Sequence, residues 1–365
     1  MKALLLLPLF LLLHGRSQPD QLNLAKANPP EKNPGKELFD SEELLEIKLT
    51  GNVRDAFADR SEKPKYFPFS VYYQAEGAEQ KVPVRVKTRG HFRKSKATCN
   101  YPPLLLNFTN KDQAPSSLFY NRDKVKLVMP CRSDEYVVKE YLVYKMYNLI
   151  TPRSFKARLT KVSFDDSLRK KITGPFYAIL LEEEESMAKR NKMTQVEPKM
   201  LRPHQAETEP FLTMAMFQYM IGNTDWSTQY RQNIKFLVSH PNDLPVTVPY
   251  DFDHAGIVNA PYARPAEELL MSSVTQRRYR GYCMTDLKPF EPIIAKFNKL
   301  KDEFYKLFTS CAYLDAKEIS KAIKYLDDFY ETINNPKKFE RDFSYPCDKD
   351  GTGNIVIRGL REGDD

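Results

Sequence analysis

The spacing of apolar residues changes about halfway along this chain of 365 residues. In the first half, apolar and polar residues alternate, most strictly at Val82, Val84 and Val86, and this period of two predicts β-strands. From Glu209 onward the apolar residues mostly follow the spacing of helices. The order predicts an α+β fold with a β-rich first part and a mainly helical second part.

The same patterns place the individual elements and the boundaries between regions. Strands are predicted near residues 45–49, 67–73, 82–86, 104–108, 125–129, 158–164 and 176–181, and a strand pair near 232–238 and 245–249. Helices are predicted at 136–149, 211–221, 290–310 and 315–334. The predicted regions are a signal peptide at 1–17, a flexible lead-in at 18–40, a β-rich N-lobe at 41–185, a mainly helical C-lobe with the active-site motifs at 186–345, and a polar tail at 346–365.

The first residues predict export. Met1 and Lys2 are followed by an apolar stretch at 3–13 and by small and polar residues, which is the pattern of a secretory signal peptide. The stretch is too short to span a membrane, and no other segment is apolar enough to do so. We therefore expect a periplasmic or secreted protein without a transmembrane anchor.

Composition and cysteines narrow the function classes. The formal charge of +8 is spread over the chain, which gives a mild bias toward anionic ligands and no sign of nucleic-acid binding. Of the five cysteines, Cys99 and Cys131 flank strand-like segments, and we predict a disulfide between them. The alternative is that the cysteines are buried free thiols, because a large domain does not need disulfides.

Two short segments in the second half carry the polar residues that suggest chemistry. The first contains Asp225 after a helix and a glycine, with Asn233 eight residues later. The second contains Asp251 and Asp253 after a strand-like run. An acid, an amide and an Asp-x-Asp pair can hold a metal ion on a nucleotide's phosphates and orient a nucleophile. The alternative for Asp225 is the N-cap of a following helix.

These segments resemble the CotH family, the secreted spore-coat protein kinases with an atypical kinase fold. The resemblance lies in residues 222–226, Asn233 and residues 250–253, and more loosely in 86–93 and 174–182, which are similar to the family's Arg-Gly turn and hinge strand. It implies an atypical protein-kinase-like fold of two lobes, with ATP and Mg²⁺ or Mn²⁺ as cofactors.

The resemblance also assigns roles. Asp225 would be the catalytic aspartate, while Asn233 and Asp251 would bind the metal, with Asp253 beside them. Where the family has lysines after its Arg-Gly turn, residues 99–102 read Cys-Asn-Tyr-Pro.

The cation that pairs with the phosphates therefore stays open among Arg89, Arg93 and Lys126, with Glu140 as an ion-pair partner. Glu182 begins an acidic run, 182–185, which is either a helix start or a hinge lining the nucleotide pocket.

Three functions follow from these observations. The first is an exported kinase that transfers phosphate from ATP to a hydroxyl of a protein or small molecule. The second is an inactive kinase-like protein that binds a partner in the envelope or at the surface. The third is a metal-dependent glycosyl or phosphoester enzyme that uses Asp251 and Asp253, against which the lack of histidine clusters counts.

Overall fold

The structure, a computed structural model, describes residues 37–109, 114–282, 284 and 286–344. The predicted signal peptide, most of the lead-in and the polar tail lie outside the described residues. The described residues belong to one compact unit, so the predicted division into two lobes is not confirmed. The predicted α+β content is confirmed.

The first half forms a closed seven-stranded barrel. Its strands follow the order β1-β2-β3-β4-β5-β7-β6, and the barrel closes where β1 pairs in parallel with β6. All other neighbouring strands are antiparallel. The strands are β1 (Leu45–Gly51), β2 (Phe67–Ala75), β3 (Ala78–Thr88), β4 (Leu104–Asn107), β5 (Lys124–Val128), β6 (Ala157–Asp166) and β7 (Lys171–Leu181).

The alternating sequence pattern arises because one side of each strand faces the barrel interior. Val82, Val84 and Val86 of β3 are buried in that interior, while the intervening residues point outward. Lys126 of β5 lies between two inward residues, so its side chain leaves the barrel on the side of the second, larger hydrophobic core. The barrel thus positions one strand lysine next to the helical part of the molecule.

Two helices accompany the barrel. The short α1 (Val53–Ala58) follows β1 and was not predicted from the sequence. The long α2 (Asp134–Ile150) follows β5, agrees with the predicted helix and is buried on most sides. Because α2 packs in the larger core together with α4 and the loop after β10, it connects the barrel to the candidate site.

The second half combines helices with a small sheet in the order β10-β9-β8. The predicted helix at 290–310 is wrong as a single element, because the backbone leaves the helix at Leu300 and forms two helices. The elements are α3 (Glu184–Arg190), β8 (Thr194–Val196), α4 (Thr208–Ile221), β9 (Ile234–Val238), β10 (Val246–Pro249), α5 (Glu291–Lys299), α6 (Lys301–Thr309), α7 (Ala316–Ile333) and α8 (Pro336–Phe343).

A disulfide joins Cys99 to Cys131, as predicted. It connects the loop after β3 to the turn between β5 and α2. Cys311 is a free thiol, and Cys283 and Cys347 lie outside the described residues. Within the part of the chain that is described, no helix is both long and apolar enough to cross a membrane.

Candidate functional site

The turn that carries Asp225 begins where α4 ends. Gly222 caps the helix in the left-handed conformation, with φ +67°, which suits a residue without a side chain. Asp225 is not the N-cap of a helix, because the segment after it forms an isolated bridge between Ser227 and Gln232. The alternative interpretation of Asp225 as a helix cap is therefore wrong.

Arg280, which was not predicted from the sequence, holds the backbone of this turn. Arg280 is buried and donates hydrogen bonds to the carbonyl oxygens of Thr224 and Trp226, the second over 2.6 Å. Trp226 is itself buried, and its ring lies 5.7 Å from the Arg280 guanidinium. Both contacts hold the backbone on either side of Asp225, which is only partly buried.

Asn233 lies directly against Asp225. Its amide nitrogen donates to the Asp225 carbonyl oxygen over 2.7 Å and to Asp225 Oδ2 over 3.0 Å. Gln232 donates to the other carboxylate oxygen over 3.3 Å. Because the amide nitrogen of Asn233 is engaged on Asp225, its amide oxygen is the atom left to accept a cation.

The small sheet brings Asp251 to the same place. Asn233 precedes β9 and Asp251 follows β10, and the ends of these strands pair at Ile234 and Pro249. In addition, the backbone N–H of Tyr250 donates to the Asn233 carbonyl over 3.1 Å. The structure therefore brings together Asp225, Asn233 and Asp251, which the sequence analysis had selected from separate segments.

Asp251 is held in a strained conformation by α2. Its φ is +59°, in the left-handed region, and its backbone N–H donates to the Tyr144 hydroxyl over 2.9 Å. The Tyr144 ring also contacts the ring of Phe252, with centroids 4.8 Å apart. Tyr144, which the sequence analysis did not select, thus fixes the backbone of the loop that carries Asp251.

One turn before Tyr144, Glu140 belongs to a buried charge cluster around Arg93. Nη1 of Arg93 lies 3.1 Å from Glu140 Oε2, 3.2 Å from Asp253 Oδ2 and 4.0 Å from Asp251 Oδ1. The predicted pairing of Glu140 with one of the candidate cations is present, and the cation is Arg93. Asp253 is buried, whereas the Asp251 side chain is 43% exposed.

The cluster perturbs the titration of its carboxyl groups. Burial, assisted by the negative charges of the two aspartates, raises the pKa of Glu140 above its usual range in spite of Arg93. Enclosure in the cleft and the charge of Asp253 raise the pKa of Asp251 above its usual range. A cation bound nearby would therefore stabilise the ionised form of these crowded carboxyl groups.

Arg89 provides a second positive charge at this site. In the described part of the chain its guanidinium forms no hydrogen bond or ion pair, although its backbone N–H is bonded to Pro103. Its positive charge lowers the pKa of Asp251, Glu140 and Lys126, so the guanidinium lies within electrostatic range of all three. A half-buried guanidinium beside the aspartates can receive an anionic group of a ligand.

Lys126 has a different partner from the one considered for it. Its ammonium lies 2.8 Å from Glu184, and Lys235 of β9 lies 3.3 Å from the same carboxylate oxygen. Burial would raise the pKa of Glu184, but the two ammonium groups outweigh it and hold that pKa at about 2. Both lysines also lie near the ring of Tyr250, at 5.6 Å and 5.3 Å.

The acidic run after β7 divides between two positions. Glu183 caps α3 and Glu184 lies in its first turn, so the helix-start interpretation of the run is confirmed. Glu182 is buried and is bound by Arg190 over 2.9 Å and by the backbone N–H of Lys156 over 3.0 Å. Glu184, and not Glu182, is therefore the acid that contacts the cleft lysines.

The oxygen atoms at the site are suited to a metal ion that binds together with a phosphate-bearing ligand. Among the residues that the structure describes, no group of three or more His, Cys, Asp or Glu side chains is arranged to hold a metal ion. Asp251 and Asn233 supply one accessible carboxylate and one amide oxygen. Mg²⁺ typically uses one or two carboxylates and completes its shell with water and phosphate oxygens. These residues fit Mg²⁺ bound to a nucleotide better than a metal ion enclosed by protein ligands.

Comparisons with known proteins add little. No family model matches the sequence, and no curated protein sequence matches it. Among solved structures, the chain is similar to the crystal structure of a Helicobacter pylori proinflammatory kinase, CtkA, with 12% sequence identity. The similarity covers 70% of this chain and 95% of that chain, at a TM-score of 0.41.

Proposed function

We propose that this protein is an exported, CotH-like kinase that transfers phosphate from ATP to a hydroxyl group of a protein or small molecule. The observation that carries the proposal is the position of Asp225 against Asn233, beside the accessible carboxylate of Asp251. This arrangement supplies an acid for the acceptor and oxygen ligands for a divalent cation at one end of a small sheet.

The chemistry needs little covalent participation by the protein. The acceptor oxygen attacks the γ-phosphorus, a new O–P bond forms, and the bond to the β-phosphate oxygen breaks to release ADP. Asp225 accepts a hydrogen bond from the acceptor hydroxyl and receives its proton as the transfer proceeds. Gln232 and Asn233 fix the orientation of that carboxylate, since each donates to one of its oxygens.

Asn233 and Asp251 would hold Mg²⁺ or Mn²⁺, which neutralises charge on the phosphates when bound. Arg89 lies on the same side and would pair with a phosphate oxygen, because its guanidinium is not engaged by another described residue. Lys126 is a second cation at the cleft, although Glu184 binds it. These residues would orient the nucleotide by electrostatic attraction.

The second candidate is an inactive kinase-like protein that binds a partner in the envelope or at the surface. It is favoured by the engagement of the buried cations, because Arg93 is bound to acidic side chains and Lys126 is bound to Glu184. If ATP does not displace these partners, the cleft retains its charge pairs and transfers no phosphate.

A thermal-shift experiment with ATP, with and without Mg²⁺, tests the proposal on the full chain. We expect the wild type to be stabilised by about RT ln(1 + [L]/Kd) when both are present. Asp251→Asn should lose the magnesium-dependent part of the shift, because an amide carries no charge to attract the ion. Asp302→Asn, which changes an exposed aspartate of α6, is the matched control and should keep the full shift.

Phosphate transfer is then measured by release of ADP and by labelling of added acceptors or of the protein itself. Asp225→Asn should fold normally and bind nucleotide, yet transfer phosphate roughly 10²-fold more slowly or worse. Full transfer activity in Asp225→Asn would contradict the assigned role. Nucleotide binding by the wild type without any transfer would favour the inactive binding protein.

A further inference from the structure

Arg93 brings a permanent positive charge into the site itself. We propose that Arg93 pairs with Asp253 and Glu140, so that the site binds a single divalent cation, on Asp251 and Asn233, and has no place for a second one. This inference rests on the proposed nucleotide site and specifies how many metal ions that site takes.

The distances separate the acidic residues into two classes. Glu140 and Asp253 are buried and lie 3.1 Å and 3.2 Å from Nη1 of Arg93, which donates a hydrogen bond to Glu140 and forms an ion pair with Asp253. Asp251 lies 4.0 Å away and is 43% exposed. The first two carboxylates are therefore engaged by the guanidinium, and only the third remains open to an ion from solution.

Asp253 is engaged a second time. The Tyr262 hydroxyl donates to Asp253 Oδ2 over 3.1 Å, the same oxygen that faces Arg93. A divalent cation on this carboxylate would lie within a few ångström of the guanidinium, with little water between the two positive charges. Repulsion between charges grows as the effective dielectric constant falls, so binding there is strongly disfavoured.

The guanidinium cannot easily leave this position. Its Nη2 donates to the carbonyl oxygen of Met129 over 3.2 Å, and the Cys99–Cys131 disulfide ties the loop that carries Arg93 to the turn after Met129. Arg60 also donates to three carbonyl oxygens of that loop, at residues 94, 99 and 100, over 2.8–3.0 Å. The positive charge is thus a fixed part of the site.

The positive charge of the site would therefore come from two sources, the Arg93 side chain and one metal ion. In protein kinases an aspartate and an asparagine hold two Mg²⁺ ions, which neutralise charge on the phosphates. Here the Arg93 guanidinium, whose Nη1 lies 4.0 Å from Asp251 Oδ1, already supplies a second positive charge, so one metal ion together with Asp251, Asn233, phosphate oxygens and water satisfies the site. Removing Asp253 should therefore affect metal binding far less than removing Asp251.

Equilibrium dialysis of the full chain against Mn²⁺, with saturating non-hydrolysable ATP analogue, tests this stoichiometry. We expect one Mn²⁺ per chain after correction for the ion bound to free nucleotide. Asp253→Asn should change the Mn²⁺ affinity by less than about threefold, whereas Asp251→Asn should weaken it by at least about tenfold. Electron paramagnetic resonance of the bound Mn²⁺ should show isolated ions, because two ions in one site would couple.

Variants of Arg93 sharpen the test. Arg93→Met removes the charge while keeping a long side chain, and we expect it to bind a second Mn²⁺ or to bind the first more tightly. Arg93→Lys keeps the charge and should keep a stoichiometry of one. If Arg93→Met does not fold, the wild-type stoichiometry and the comparison of the two aspartate variants decide the question.

The outcomes distinguish this inference from the proposed function. Two coupled Mn²⁺ ions in the wild type, or an Asp253→Asn protein as weak as Asp251→Asn, would overturn the single-ion inference and leave the kinase proposal standing. Failure of the wild type to bind either Mn²⁺ or the nucleotide analogue would overturn the proposed function and this inference with it.

Discussion

Replacing Tyr144 by Phe tests whether α2 fixes the loop that carries Asp251. The substitution removes one hydroxyl from a buried residue and leaves the ring against Phe252. That hydroxyl accepts the backbone N–H of Asp251 over 2.9 Å, and Asp251 has φ +59°. The variant therefore removes the hydrogen bond that supports a strained residue and leaves the packing in place.

The structure sets the expected size of the effect. A buried N–H that loses its only acceptor costs about 1–3 kcal/mol, and the lower half of that range applies here because water reaches the half-buried Asp251. We expect a loss of about 1.5 kcal/mol in the free energy of unfolding. For a protein of this size that corresponds to a fall of about 2 °C in Tm.

Tyr147→Phe is the matched control. Tyr147 lies on the same helix, is equally buried and packs against an aromatic ring, that of Phe217, at 4.7 Å. Within the described part of the chain its hydroxyl forms no hydrogen bond, so its removal should change the unfolding free energy by less than about 0.5 kcal/mol. Guanidinium denaturation of both variants measures the difference without reference to any activity.

The nucleotide site offers a second readout of the same change. If the Asp251 loop relaxes in Tyr144→Phe, the affinity for magnesium-ATP should fall by up to about tenfold, since 1.4 kcal/mol corresponds to that factor. Equal stability of Tyr144→Phe and Tyr147→Phe would refute the argument that α2 supports this loop through the hydroxyl.

Two further predictions concern charge and backbone conformation. The pKa of Glu184 is about 2 in the folded protein, below its ordinary value of 4.5, so its stabilising effect is complete above pH 4.5 and is lost as the pH falls toward 2. Between pH 5 and pH 2, the free energy of unfolding of Glu184→Gln should therefore fall by about 2–3 kcal/mol less than that of the variant Glu185→Gln, which changes an exposed residue. Denaturation at each pH measures this difference. Gly222→Ala should lower the free energy of unfolding more than Gly77→Ala does. Both glycines have positive φ, but only at Gly222 would the new methyl group overlap the Tyr325 hydroxyl. The left-handed backbone conformation alone costs an alanine about 1–2 kcal/mol, so thermal unfolding of Gly77→Ala gives the baseline, and equal losses would contradict the steric argument.

Much of the barrel could be predicted from sequence because its strands have one buried face. The alternation at Val82, Val84 and Val86 directly reflects that geometry. The single helix predicted at 290–310 failed because the break at Leu300 involves neither glycine nor proline, so the apolar spacing continues through it. The short β8 carries too few residues to produce a pattern of its own.

At the site, sequence reasoning identified the residue types but could not identify all of their partners. Asp225 and Asn233, which are hydrogen-bonded, are only eight residues apart in the sequence. Tyr144 and Asp251 are also hydrogen-bonded, but they are separated by 107 positions. Which member of the acidic run meets Lys126 depends on where α3 begins, and the structure selects Glu184. Such pairings are set by tertiary packing, which no local pattern records.

The Cys99–Cys131 disulfide has a consequence for how the barrel assembles. The bond spans 32 positions and encloses both β4 and β5 in one covalent ring. Closing a ring of this size removes conformational freedom from the unfolded chain worth about 4 kcal/mol. Once the disulfide has formed, it limits the distance between β4 and β5 in the unfolded chain. The two strands therefore stay near each other before the remaining strands of the barrel have paired.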